Sequence, residues 1–159
     1  MADFKNSGAW LAVFRVLTGA IWLDHAYGKL TDPQWALPNG TCYQILTGMS
    51  NGTSGIYHDF VTGVALPNIG LFANLVMWGE TLVGVSLVLG LFSRFAGIAG
   101  FLLVLQYFAA KGGFAHLDAY GGLETTTALL TVINFALPTG TVFGFDALIG
   151  RRKGGRGPG

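Results

Sequence analysis

Apolar residues in this chain gather into long continuous stretches and show no two-residue alternation of a half-buried strand. Four of these stretches, residues 9–30, 68–91, 94–112 and 122–143, reach the roughly 20 residues that a helix needs to cross a bilayer core. In hydrocarbon every backbone polar group must be paired internally, so the segments are expected to be helices. Their glycine content suits close backbone approach in lipid. Pro138 is expected to kink or end the fourth, since proline lacks the amide donor and crowds the preceding turn. Only Phe92 and Ser93 lie between the second and third, which predicts a tight antiparallel hairpin. The pattern predicts an all-α integral membrane protein, a four-transmembrane-helix bundle in a single domain over residues 1–159.

A long outer loop joins helices one and two. Residues 31–67 are too many for a plain connector. The loop opens with turn chemistry at Asp32-Pro33 and Pro38-Asn39-Gly40 and continues through a polar stretch from Gly48 to Gly55. In Ile56 to Leu66, Ile56, Phe60 and Val64 fall at helical spacing, which predicts a short interfacial helix or re-entrant cap. Asn39-Gly40-Thr41 and Asn51-Gly52-Thr53 match the glycosylation acceptor pattern, one that arises often by chance.

Basic residues set the expected orientation. With both termini cytoplasmic, Lys5, Arg94 and the tail residues Arg151, Arg152, Lys153 and Arg156 lie inside, and only Lys29 and Lys111 lie near the outer face. The expected location is the cell membrane, as a multi-pass protein with a basic cytoplasmic tail over residues 150–159. Asp3 and Lys5 precede a first apolar run too long for a signal-peptide core, so that segment is expected to be retained.

Composition agrees. Hydrophobic residues make up 52% of the chain and charged residues 11%, where a soluble domain carries about a quarter charged. Cys42, the single cysteine, excludes an internal disulfide and any Cys-based zinc or iron–sulfur site. No basic cluster exists outside the tail, so no nucleic-acid partner is expected. Neither a dinucleotide fingerprint nor a P-loop appears, and there is no Cys-x-x-Cys-His for haem. Only His25 falls within a predicted span, so no intrinsic haem, iron–sulfur or nucleotide cofactor is expected.

Charges inside spans are the first functional candidates, because they are costly to hold in lipid. Arg15 and Glu80 are expected to form an ion pair between helices one and two. Two readings of Glu80 stay open: a structural partner for Arg15, or a partly desolvated proton carrier. Arg94 and Asp146 form a second candidate ion pair, tying the hairpin to the end of helix four.

A further set gathers near the outer face: Asp24, His25 and Lys29, then His58 and Asp59, then His116 and Asp118, with Glu124 opening helix four. The histidine spacing matches no metal motif, so no metal site is assigned. His25, Glu80 and Glu124 are the candidates for proton transfer, because quinone reduction takes up protons and carboxylates and histidine supply them. Trp22, Tyr27 and Trp78, with His25, are the first candidates to line a quinone head-group site, and Trp10, Trp35, Tyr43, Tyr57, Tyr107 and Tyr120 could line it too; aromatics of this kind also act as interfacial anchors.

These residues carry a resemblance. The segment from Phe14 to Leu30, FRVLTGAIWLDHAYGKL, resembles the opening of the DoxX/DoxD family. GETLVGVSLVLGLFSRFAG, Gly79 to Gly97, is similar to that family's most recognisable stretch, and GTVFGFDAL, Gly140 to Leu148, to its glycine-rich end. The approach to Gly79-Glu80 from Tyr57 resembles DoxD, the small membrane subunit of thiosulfate:quinone oxidoreductase. The resemblance implies a membrane subunit that works with a DoxA-like chain or a larger redox complex, surrounded by membrane lipid, with quinone as the acceptor. It draws attention to Arg15, His25, Lys29, Glu80, Arg94, Glu124 and Asp146. The alternative is a non-catalytic accessory subunit of a larger respiratory or photosynthetic membrane complex.

Overall fold

The structure is a computed structural model and describes residues 7–110, 123–137 and 139–147. Among the described residues the secondary structure is entirely helical. In chain order it comprises α1 (Ser7–Thr31), α2 (Thr41–Ser50), α3 (Ile56–Phe60), a π-helical turn (Val61–Ala65), α4 (Ile69–Leu89), α5 (Ser93–Ala110), α6 (Leu123–Ala136) and a 3₁₀ turn (Thr139–Thr141).

Two of these helices are long and apolar enough to cross a membrane: α4, with mean hydropathy 1.6, and α5, with 1.4. Leu71, Leu75, Trp78, Leu82, Val85 and Leu89 of α4 are exposed and recur at helical spacing, an apolar stripe far too large for a water-facing surface. The fourth predicted segment stops short of residue 143, as the proline predicts: α6 ends at Ala136, and a 3₁₀ turn begins three residues on, at Thr139. Pro138 itself lies outside the described residues.

α1 lies along α4, α4 along α5, and α5 along α6. The joint between α1 and α4 is made by Gly19 and Gly84. A Cβ on Gly19 would lie 2.9 Å from the Gly84 carbonyl, and one on Gly84 2.7 Å from Leu23 Cγ, so only glycine admits this approach. Trp22, Val83, Leu87, Ala96, Val104 and Phe108 fill the core between α1, α4 and α5, with Ala128 of α6 packed against them.

The α4–α5 connection is as tight as predicted. Gly90 ends α4 in the left-handed conformation, φ 65°, and donates to the Leu87 carbonyl while Leu91 donates to that of Ser86, a Schellman closure. The long connection is mostly helical. The expected cap at Ile56 to Leu66 is α3 plus the π-helical turn, while α2 was not anticipated. Trp35, Cys42, Ile69 and Ala73 form a second apolar cluster that seats α2 on α4, and the Trp35 indole N–H donates to the Ala73 carbonyl at 2.9 Å.

Burial in that cluster pushes the Cys42 thiol up to about 11, against a smaller lowering by the Lys29 charge. At pH 8 this leaves a thiolate fraction about a hundredfold below that of an ordinary cysteine, because the thiolate is the reactive form. Maleimide alkylation in detergent is therefore expected to be slow at pH 8 and to accelerate up to pH 11. A rate matching a free thiol at pH 8 would contradict this burial.

Candidate functional site

The Gly19–Gly84 contact sets the register between α1 and α4. Arg15 lies one helical turn to one side of it, and Glu80 one turn to the other. The two expected ion-pair partners are thus carried apart, and two separate polar layers form.

The first layer closes the α4–α5 turn. Arg15 is 1% exposed, and its guanidinium donates to backbone carbonyls: Nη1 to Thr139 at 2.8 Å and Val142 at 3.1 Å, Nη2 to Phe143 at 3.2 Å. The Arg15–Glu80 pair read from the sequence is corrected accordingly. Gly90 and Gly144 make room for the guanidinium; a Cβ on Gly144 would sit 2.6 Å from Nη1. Beside it, Asn134 donates to the Leu130 carbonyl and to Thr18 Oγ1, and Thr139 Oγ1 donates to Asn134 Oδ1.

The Arg94–Asp146 pair is corrected as well. Asp146 Oδ1 accepts from the Phe92 amide at 2.8 Å, and Oδ2 from the Ser93 amide at 3.0 Å and the Ser93 hydroxyl at 2.8 Å. The carboxylate caps the N-terminus of α5, where amide donors have no helical partner, and Arg94 is exposed. Asp146→Ala is expected to cost about 2 kcal/mol, the upper range for a lost cap. Asp146→Asn should recover part of that, as read by thermal unfolding in detergent.

The second layer lies at the α2 end of the bundle and is centred on Glu80, which is fully buried. Lys29 donates to Glu80 Oε2 at 2.5 Å, and the Tyr107 hydroxyl to Oε1 at 2.5 Å. Lys29 also donates to the His25 carbonyl at 3.2 Å and sits 5.4 Å from the centre of the Trp35 ring, within cation–π range. α1, α4 and α5 therefore each contribute one side chain to a charge-neutral, fully directed set.

Two cavities adjoin this set. The inner one, about 150 Å³, is lined by Trp22, His25, Lys29, Val104, Tyr107 and Thr127. The outer one, about 360 Å³, runs under α2 and is lined in part by Asp32, Trp35, Thr41 and Met49. His25, Lys29 and Tyr107 line both and form the boundary between them. Glu80 lines neither and meets them only through the bonds it accepts from Lys29 and Tyr107. The Trp22 indole nitrogen is buried without a hydrogen-bond partner.

Of the residues expected at a site, the structure brings His25 and Trp22 together at the inner cavity, with Glu80 behind them. Tyr27 and Trp78 are 67% and 52% exposed and line neither cavity, which fits the anchor reading of such aromatics. Asp24 and Asp59 are exposed, and His58 Nδ1 lies 3.0 Å from the Ser50 carbonyl, joining α3 to the end of α2. Glu124 falls in the first turn of α6, where side chains lie outside the description; Lys111, His116 and Asp118 lie outside the described residues altogether. Among the described residues no three His, Cys, Asp or Glu side chains gather as a metal site would need. Trp35 and Tyr107, aromatics that the sequence offers as possible site lining, do line the cavities, whereas Thr127 carries no signal in the sequence.

Two membrane-length helices and a buried, ion-paired carboxylate beside a small polar cavity define a small helical membrane protein. The chain belongs to the DoxD family: residues 10–155 match the family described as TQO small subunit DoxD. No curated protein and no solved structure matches it.

Proposed function

We propose that this chain is the quinone-facing membrane subunit of a multi-subunit oxidoreductase that oxidises thiosulfate or a similar sulfur compound. In this reading α1 and α6 cross the membrane with α4 and α5, both termini are cytoplasmic, and a DoxA-like chain or larger redox complex is the partner. At 1.5 Å per residue α1 reaches about 37 Å, ample for a span, and it lies along α4.

The observation that carries the proposal is the neutral cavity bounded by His25, Lys29 and Tyr107, backed by the buried Glu80. The Lys29 charge is met by Glu80, so the cavity suits an uncharged, acceptor-bearing ring better than a sulfur anion. The anion is therefore assigned to the partner chain. Bound quinone would supply a two-electron acceptor that takes up two protons. His25, Lys29 and Trp22 would hold it, and the orphaned indole N–H of Trp22 fits a carbonyl acceptor.

His25 stands at the boundary of the two cavities and can pass protons inward from the groove under α2. Glu80 fixes the Lys29 ammonium and the Tyr107 hydroxyl at the rim. The outer cavity gives the entrance, with Asp32 and Thr41 on its wall.

A photoreactive short-chain quinone, applied to the complex purified in mild detergent, tests the proposal. Labelled peptides should contain residues 22–29 and 104–107. Labelling confined to partner chains would remove the quinone site from this subunit.

A further inference from the structure

We infer that the indole N–H of Trp22 is the donor that fixes one carbonyl of the ring in the inner cavity; this rests on the quinone reading above. Trp22 is 1% exposed, and its Nε1 has no partner, whereas most buried indoles find one. An orphaned buried donor costs free energy unless a ligand meets it. The ring is not loose in its place. A Cβ on Gly100 would lie 3.1 Å from its Cζ2, so α5 packs closely against its benzene edge, and Val83 and Leu87 complete the core around it.

Its neighbours divide the work. Lys29 and Tyr107 are directed onto Glu80, and Lys29 also onto the His25 carbonyl. Trp22 is directed onto nothing and lines the same cavity. A neutral N–H there, without a second charge, selects a carbonyl oxygen and leaves proton delivery to His25 at the rim. Trp22 is thus a positioning and specificity residue: rings with a carbonyl should bind, and rings of equal size without one should not.

The variant that isolates the donor carries benzothienylalanine at position 22, which keeps the bicyclic ring and exchanges N–H for sulfur; Trp22→Phe is the second variant. The probe is a short-chain benzoquinone with one carbon-13 carbonyl, titrated into the purified complex and followed by infrared difference spectroscopy. Loss of the donor should weaken binding about tenfold, the value of one buried hydrogen bond. It should also move one carbonyl band to higher frequency. The quinone-free benzothienylalanine variant should unfold no earlier than the wild type, since it keeps the bicyclic volume and removes only an unmet donor, whereas Trp22→Phe also leaves a cavity. Unchanged affinity and an unchanged carbonyl band, in a protein whose wild type binds the probe, would overturn the role of Trp22 alone. A wild type that fails to bind the probe would overturn the quinone reading, and this inference with it.

Discussion

Lys29→Met is expected to destabilise the protein by roughly 3–5 kcal/mol, the cost of leaving a buried charge without its partner. The Glu80 carboxylate is fully buried, and Lys29 is the cation that meets it, its side chain 15% exposed. With Lys29 gone, the Tyr107 hydroxyl still donates to that carboxylate. Glu80→Gln should cost less, because Lys29 lies at the boundary of the outer cavity and can turn its ammonium toward solvent. The double variant, Lys29→Met with Glu80→Gln, removes both charges and should recover most of the loss. Denaturant unfolding in detergent reads all three. Additive losses, with the double variant worst, would show that the two side chains do not stabilise each other.

That experiment also marks where the sequence was informative. Glu80 was legible as a costly charge in an apolar helix, and so was its need for a partner, whereas Lys29 falls with the groups near the outer face. The pairing was not legible, because it depends on the register between α1 and α4. Depth along a helix, counted from its apolar boundaries, cannot resolve a slip of two turns. The register is set by Gly19 against Gly84, and sequence offers many other glycines for that role. Once it is fixed, Arg15 falls beside Gly90 and the chain after α6, and Lys29 falls beside Glu80.

The same reasoning explains Asp146. Its position near the end of the hairpin was legible, and Arg94 was the obvious charge nearby. Backbone amides at a helix start compete for a carboxylate without any signature in sequence, and here Phe92 and Ser93 win. α2 escaped notice because TCYQILTGMS is short and mixes polar and apolar residues. What makes it a helix is tertiary: Cys42 packs with Trp35, Ile69 and Ala73, contacts made across the loop and α4. His25 and Trp22 were legible as members of a site, three residues apart on one helix, so that both reach the same side.

His25→Ala should lower donor-dependent quinone reduction by roughly a hundredfold per assembled complex, the lower range for loss of a general acid–base group. His25 is half-buried and lines both cavities, where an imidazole can take a proton on one ring nitrogen and give one from the other. Its ring makes no hydrogen bond among the described residues, and it lies outside the buried core. Assembly, helix content and thermal unfolding of the variant should therefore stay close to wild type. An accessory subunit predicts the reverse: turnover per assembled complex unchanged, and any loss traced to poorer assembly. Position 25 separates the two readings better than Glu80, whose removal disturbs stability and the rim together. Added imidazole sharpens the measurement, since a small base that enters the outer cavity should restore part of the rate in His25→Ala and none in the wild type. Wild-type turnover in a fully assembled His25→Ala complex would take this histidine out of the proton route.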